Sequence, residues 1–266
     1  MRQDVPPSRR ERNPTFQLRA SADAAIMAPM NIHDSLVRRR RGSAGVVAVF
    51  AVLFLVLAAV GGSFFLGSRA QERFTAHLEE GRLAVEKDRG DLALAAFTKA
   101  EGEQSIHLRL YRRLMGLKGA TFTTSEELGE LIVSAALIQV YEEVFQLKSA
   151  AGIVKIAEER AAKLTGPDAA EFRRLAATAR EVNSLVESFV AKRYEDVMKG
   201  LLAAEKNAQP TDQDFFVTEV RLLVACGKAM NEQAIIDHAR EMLFFLAYEA
   251  GIKNRRIDQL WGLMGR

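Results

Sequence analysis

The chain has 266 residues, 48% of them apolar and 27% charged, with a formal net charge of +3. These averages exclude disorder throughout, but they conceal two opposite regions. Gly42 to Ser68 is a run of 27 uncharged residues, 19 of them apolar, whereas the remaining 239 residues are about 46% apolar and leave no room for a second set of membrane spans.

Residues 1–43 carry nine arginines and no lysine against four acids, a balance of +5, so the rest of the chain sums to −2. Four of the six prolines (Pro6, Pro7, Pro14 and Pro29) fall in the first 29 residues, where no apolar period is found. The reading is a disordered basic tail over 1–43, with Met27 and Met30 as alternative starts to Met1. Residues 44–67 follow as a transmembrane helix. Twenty-four residues at about 1.5 Å each give about 36 Å, enough to cross a hydrocarbon core of about 30 Å with some tilt. Arg38, Arg39, Arg40 and Arg41 precede the span, and only Arg69 and Arg73 follow it closely. The positive-inside rule therefore predicts a cytoplasmic N-terminus and an extracytoplasmic domain over 68–266; a bacterial inner membrane is the expected setting, with the domain periplasmic or otherwise extracytoplasmic. A cleaved signal peptide is the rival reading, because Ser68-Arg69-Ala70 and Ala59-Val60-Gly61 place small residues at suitable spacing.

Helical periodicity fills the 198 residues from Arg69 onward, so the domain is predicted to be all-α. The first helix runs on to about Lys87 with Phe74, Leu78, Gly81 and Val85 along one side, and a second ends near Glu101. Further helices fit 105–118, 125–148, 151–164, 168–190, 194–207, 212–227, 232–249 and 254–264. Thr123 and Thr124 each precede a glutamate by three residues, the spacing of a capping box, which places a helix start near Ser125. Gly166-Pro167-Asp168 and Pro210-Thr211 read as breaks, because Gly tolerates a left-handed exit and Pro suits a first helical turn.

Ala93, Phe97 and Ala100, after Gly90-Asp91, set a small residue, a large one four positions on and a small one three later. Val197, Leu201 and Ala204 repeat the pattern less strictly, Ala234 and His238 form a third copy, and Leu128, Ile132 and Ala135 fall 35 residues after the first. In this the chain resembles the tetratricopeptide repeats, whose period is about 34 residues. The stretch from about 140 to 180 contains no clear copy. The resemblance implies a solenoid of helical hairpins that binds partner proteins or peptides in a concave groove lined by the first helix of each pair.

Little in the sequence suggests chemistry. His33, His77, His107 and His238 are isolated, so no metal or other cofactor is expected. Cys226 lies in an apolar run and reads as packing. The acid pairs Glu79-Glu80, Glu126-Glu127, Glu142-Glu143 and Glu158-Glu159 diverge by about 100° on a helix and read as solvated faces rather than acid-base pairs. No phosphate loop or nucleophile elbow occurs, and no nucleic-acid partner is expected. Arg109, Arg112, Arg113 and Lys118 form a basic side on the helix of Leu108, Tyr111, Leu114 and Met115. That side reads as a solvated face over a core stripe, with lipid head groups as the alternative ligand. Ile257, Leu260, Trp261 and Met264 share one face of the last helix, either as a cap on the solenoid or as a docking surface. The function expected is a non-enzymatic, membrane-anchored scaffold or assembly factor that holds other envelope or membrane proteins. The alternative is a structural subunit of a larger membrane complex, in which the span makes the main contacts; homo- or hetero-oligomers fit either.

Overall fold

The computed structural model describes the backbone of residues 32–116, 123–205, 208–209, 211–252 and 254–265, with side chains from residue 47 onward in those ranges. Residues 1–31, the side chains of Arg38 to Arg41, Lys118 and Pro210 lie outside the described residues. Helices dominate, and there is no strand among the described residues. The order is α1 (Ile32–Glu86), α2 (Gly90–Gly102), α3 (Ile106–Leu114), α4 (Ser125–Phe145), α5 (Ala151–Ala161), α6 (Ala169–Val190), α7 (Tyr194–Glu205), α8 (Gln213–Met230), α9 (Gln233–Phe244) and α10 (Arg255–Met264). A single π-helical turn, Phe245–Glu249, extends α9.

Helical backbone begins at Ile32, so residues 32–43, which the sequence reading assigns to the tail, are helical. The apolar part of α1 exposes Val47, Val49, Phe50 and the residues following them. Among the described residues it is the one helix long and apolar enough to cross a membrane. The chain divides into two compact units, Met1–Val56 and Leu57–Arg266. The second holds all the packing described below.

Local chemistry sets several boundaries. The Thr124 hydroxyl accepts from the Glu127 N–H at 3.1 Å while the Glu127 carboxylate accepts from the Thr124 N–H at 2.7 Å, completing a capping box at the start of α4. Asn231, in the left-handed region at φ 57°, ends α8. Glu126, one of the paired acids, does not simply face solvent. Its carboxylate accepts from the N–H groups of Thr165 and Gly166 at 2.5 and 2.6 Å and so tethers the α5–α6 turn to α4, and these bonds hold its pKa below the usual range.

Two adjoining apolar clusters form the core, and α4 belongs to both. The first joins Phe74 and Leu78 of α1 to Ala93, Phe97 and Ala100 of α2, Leu108 of α3, and Leu128, Ile132 and Ala135 of α4. Phe97 is wholly buried, and Gly81 admits its ring: a Cβ at Gly81 would stand 2.3 Å from the Phe97 ring edge. The second cluster runs from Val133 to Met264 through α4–α10. Helices α4, α6 and α8 pack on one another, each with its successor α5, α7 or α9 against it. From Val217 to Gly227, α8 is buried around almost its whole circumference. It therefore presents no open groove, contrary to the concave surface that the repeat resemblance implies for first helices.

Val197, Leu201 and Ala204 are buried, but Ala234 and His238 are exposed, and the inward residues of α9 are Ala239 and Leu243. The third repeat copy is thus out of register, because α9 turns a different stripe toward α8. On α3 the assignment is also altered: Leu108 and Arg112 are buried, whereas Leu114 and Met115 are exposed.

The core also encloses a carboxyl group. Glu219 on α8 is 4% exposed, and its Oε2 has no hydrogen-bond partner. Burial, with the nearby Glu205 charge, pushes its pKa up to about 7. Because the folded value lies above the unfolded one, the native state binds the extra proton between the two, and stability falls as pH rises from about 4.5 to about 7. Replacing Glu219 with Gln should raise stability at pH 8 by up to about 3 kcal/mol and change little at pH 4, as read from denaturant melts at the two pH values. Truncating Phe97 to Ala should instead cost about 3–5 kcal/mol at every pH, since the rigid α1–α2–α4 contact cannot collapse into the void.

Candidate functional site

The C-terminal helix is positioned by polar contacts from residues far away in sequence. Asn254 caps α10, its side-chain oxygen accepting from the Arg256 N–H at 2.9 Å. Arg256 follows, 2% exposed, a charge that burial tolerates only when it is paired. Its guanidinium meets Asp214 of α8 at 2.8 Å and Asp88 in the α1–α2 turn at 3.4 Å. Arg255 adds a contact to the Asp88 carboxylate at 3.0 Å, donates to the Asp88 carbonyl at 2.9 Å, and reaches Glu142 of α4 at 3.4 Å. At the other end of α10, the Lys228 ammonium donates to the Leu263 carbonyl at 2.5 Å. Alongside, the buried Asp212 carboxylate accepts two bonds from Arg174, at 2.6 and 2.7 Å, and one from the Gln209 N–H. Burial alone would raise its pKa, but Arg174 and the Gln209 amide hold it below the usual range. Tyr141, buried nearby, has its phenol pushed up by burial and by Asp214 and Asp212, so it stays protonated.

The clamped helix forms one wall of an open groove of about 880 Å³, with the π-helical turn as the other. Phe244, Ala247, Tyr248, Ile252, Asp258 and Trp261 contribute to its lining. Phe244 and Tyr248 stack with ring centroids 4.8 Å apart, yet Tyr248 is 68% exposed and Phe244 and Phe245 are about half exposed. The π-helical turn carries Phe245 and Tyr248 directly after Phe244 at the end of α9, and such turns recur at functional sites. Chemically, the groove sets the aromatic rings of Phe244, Tyr248 and Trp261 beside polar and charged groups from Asn254, Arg255 and Asp258. It suits a partner side chain that pairs an apolar or aromatic body with a polar end.

Of the residues singled out on the last helix, Ile257, Leu260 and Met264 are buried in the second core cluster, while Trp261 is half-buried and lines the groove. One face of α10 therefore combines the capping contact with a site wall. The sequence reading missed Phe244, Tyr248, Asp88 and Arg256. A signal existed for the aromatics in the excess of Phe and Tyr over 244–248, but none for the ion pairs, which join positions 42 to 168 residues apart. Cys226 is fully buried, and burial pushes its thiol up to about 11, which makes it unreactive. No cluster of three potential metal ligands occurs among the described residues.

Asp214→Ala should leave the Arg256 guanidinium buried with only the longer Asp88 contact, lowering stability by about 3 kcal/mol and releasing α10 amide protection in hydrogen exchange. Pairing it with Arg256→Met should recover most of that loss, since the unpaired charge is then gone. Compared with protein-family models, with curated proteins and with solved structures, the chain matches none.

Proposed function

We propose that this is a single-pass membrane protein whose helical domain binds partner proteins, with the groove between the π-helical turn and α10 as the principal contact surface. The observation that carries this reading is the set of exposed aromatic side chains, Phe244, Phe245 and Tyr248, beside a groove whose far wall is fixed by ion pairs to the buried Arg256. Rigid aromatic anchors bind with little loss of conformational freedom, which makes such surfaces effective contact sites. The order of inner helices α4, α6 and α8 and outer helices α5, α7 and α9 supports a tetratricopeptide-like hairpin arrangement, and the burial of α8 directs the contact to the end of the array. The arginines before the span support an orientation with the tail in the cytoplasm and the domain across the membrane, and the setting proposed is a bacterial inner membrane with the domain in the periplasm. The role is that of a scaffold or assembly factor for envelope or membrane proteins.

A photo-crosslinking residue at Tyr248 in the full chain should give discrete protein adducts in cells, and Phe244→Ala with Tyr248→Ala should weaken that association about tenfold or more without lowering the melting temperature. Trp261, the only tryptophan, should change its emission when the groove fills. A reporter active only in the cytoplasm, placed after Arg266, should be silent. Partners retained in full by a chain lacking residues 69–266 would instead identify a structural subunit held by its span.

A further inference from the structure

Helix α3 has its apolar side turned the wrong way for a helix that only covers a core. Leu108 and Arg112 point inward. On the outer side Ile106, Leu110 and Leu114 form an i, i+4, i+8 row, with Ile106 77% and Leu114 56% exposed. Arg109 and Arg113, also exposed, flank this row and make no ion pair among the described residues. Met115, just past the helix, is exposed as well. The outward surface is thus three large apolar residues beside two guanidinium groups.

Its location gives this surface a specific neighbour. Helix α3 packs against α1 where the apolar run ends. Gly67 permits the approach, since a Cβ there would lie 2.5 Å from both the His107 carbonyl oxygen and the Tyr111 Cβ. Phe64 packs against Tyr111 with ring centroids 5.0 Å apart and planes tilted by 59°. One turn further on, the Arg112 Nε donates to the Gln71 side-chain oxygen Oε1 at 2.6 Å, and its guanidinium lies 4.2 Å from the Phe74 ring centroid. Phe64, Phe65 and Leu66 on α1 are themselves exposed, so the outward apolar surface continues from the end of the span onto α3.

We infer that α3 is an interfacial helix: Ile106, Leu110 and Leu114 enter the boundary between acyl chains and head groups of the membrane that holds α1, and Arg109 and Arg113 meet anionic phosphate head groups. A short amphipathic helix of this kind is too small to bind lipid by itself, but tethering to a span supplies a high local concentration and removes that requirement. The guanidinium charges of Arg109 and Arg113 add electrostatic attraction wherever the membrane surface is anionic. The consequence is orientational. Two points of contact, the span and α3, restrict how the domain rotates about the membrane normal.

The inference rests on α1 being embedded, which is read separately by co-flotation of the full chain with its lipid. The test uses the full chain in nanodiscs of phosphatidylcholine and phosphatidylglycerol, with Leu110→Cys or Ile106→Cys carrying a polarity-sensitive bimane and Leu202→Cys, exposed on α7, as the reference. Buried Cys226 stays unlabelled. A nitroxide on the shallow acyl chain should quench the α3 probes several-fold more than the reference. Arg109→Glu with Arg113→Glu should lower that quenching in phosphatidylglycerol discs, with unchanged circular dichroism. In a chain that floats with lipid, α3 probes that are reached by aqueous iodide and no better quenched by spin-labelled lipid than the reference would overturn the inference. Protection from both quenchers would overturn it as well, by placing a protein on this surface.

Discussion

The segment of α1 from Ala70 to Ala84 leaves an apolar run and at once becomes a wall of the domain's core, and the rest of the fold depends on that double use. Phe74 lies beneath the Arg112 guanidinium, Leu78 reaches the first cluster, and Gly81 leaves room for the Phe97 ring. A helix that must satisfy both lipid and a core cannot be amphipathic along its whole length. It is apolar all round where lipid would surround it and narrows to one buried stripe where the domain begins. Gly67 and Gly81 mark the two places where another helix comes close, one for α3 and one for α2.

From this wall the chain builds away through α4, α6 and α8 and returns at the end. Arg255 and Arg256 bring α10 back to Asp88, the turn that closes α1, so the last helix is held against the first turn of the domain rather than left as a free end. Only Arg256 is buried in these pairs, while Asp214 and Asp88 stay 42% and 36% exposed, so the pairs contribute little net stability; an arrangement that left the Arg256 guanidinium unpaired would still be costly. Here they fix where α10 sits, while Ile257, Leu260 and Met264 supply the apolar burial. The groove beside Trp261 inherits its shape from that placement.

Two surfaces remain outside this scheme, and they differ in chemistry. The C-terminal groove is concave and sets aromatic rings beside Asn254, Arg255 and Asp258; the outward face of α3 is aliphatic and flanked by arginines. A concave site with aromatic rings suits a folded or extended partner, whereas a cationic and aliphatic face beside a span suits lipid.

The sequence by itself determined the apolar run, the all-helical composition and most helix boundaries, because each depends on neighbours within about one turn. The Thr124–Glu127 capping box is wholly local, and the burial of Ala93, Phe97 and Ala100 follows from their spacing. Tertiary structure decided which of two partly apolar faces turned inward. On α3 the periodicity was clear, yet docking on α1 buried Arg112 and left Leu114 outside; on α9 the inward stripe passed through Ala239 rather than Ala234. Nor could pairing be read locally, since Arg112 finds Gln71 across 41 residues, Glu126 finds Gly166 across 40 and Arg256 finds Asp88 across 168. Periodicity states that a helix has an apolar side. Only the atoms brought against it from distant parts of the chain determine whether that side meets protein, water or lipid.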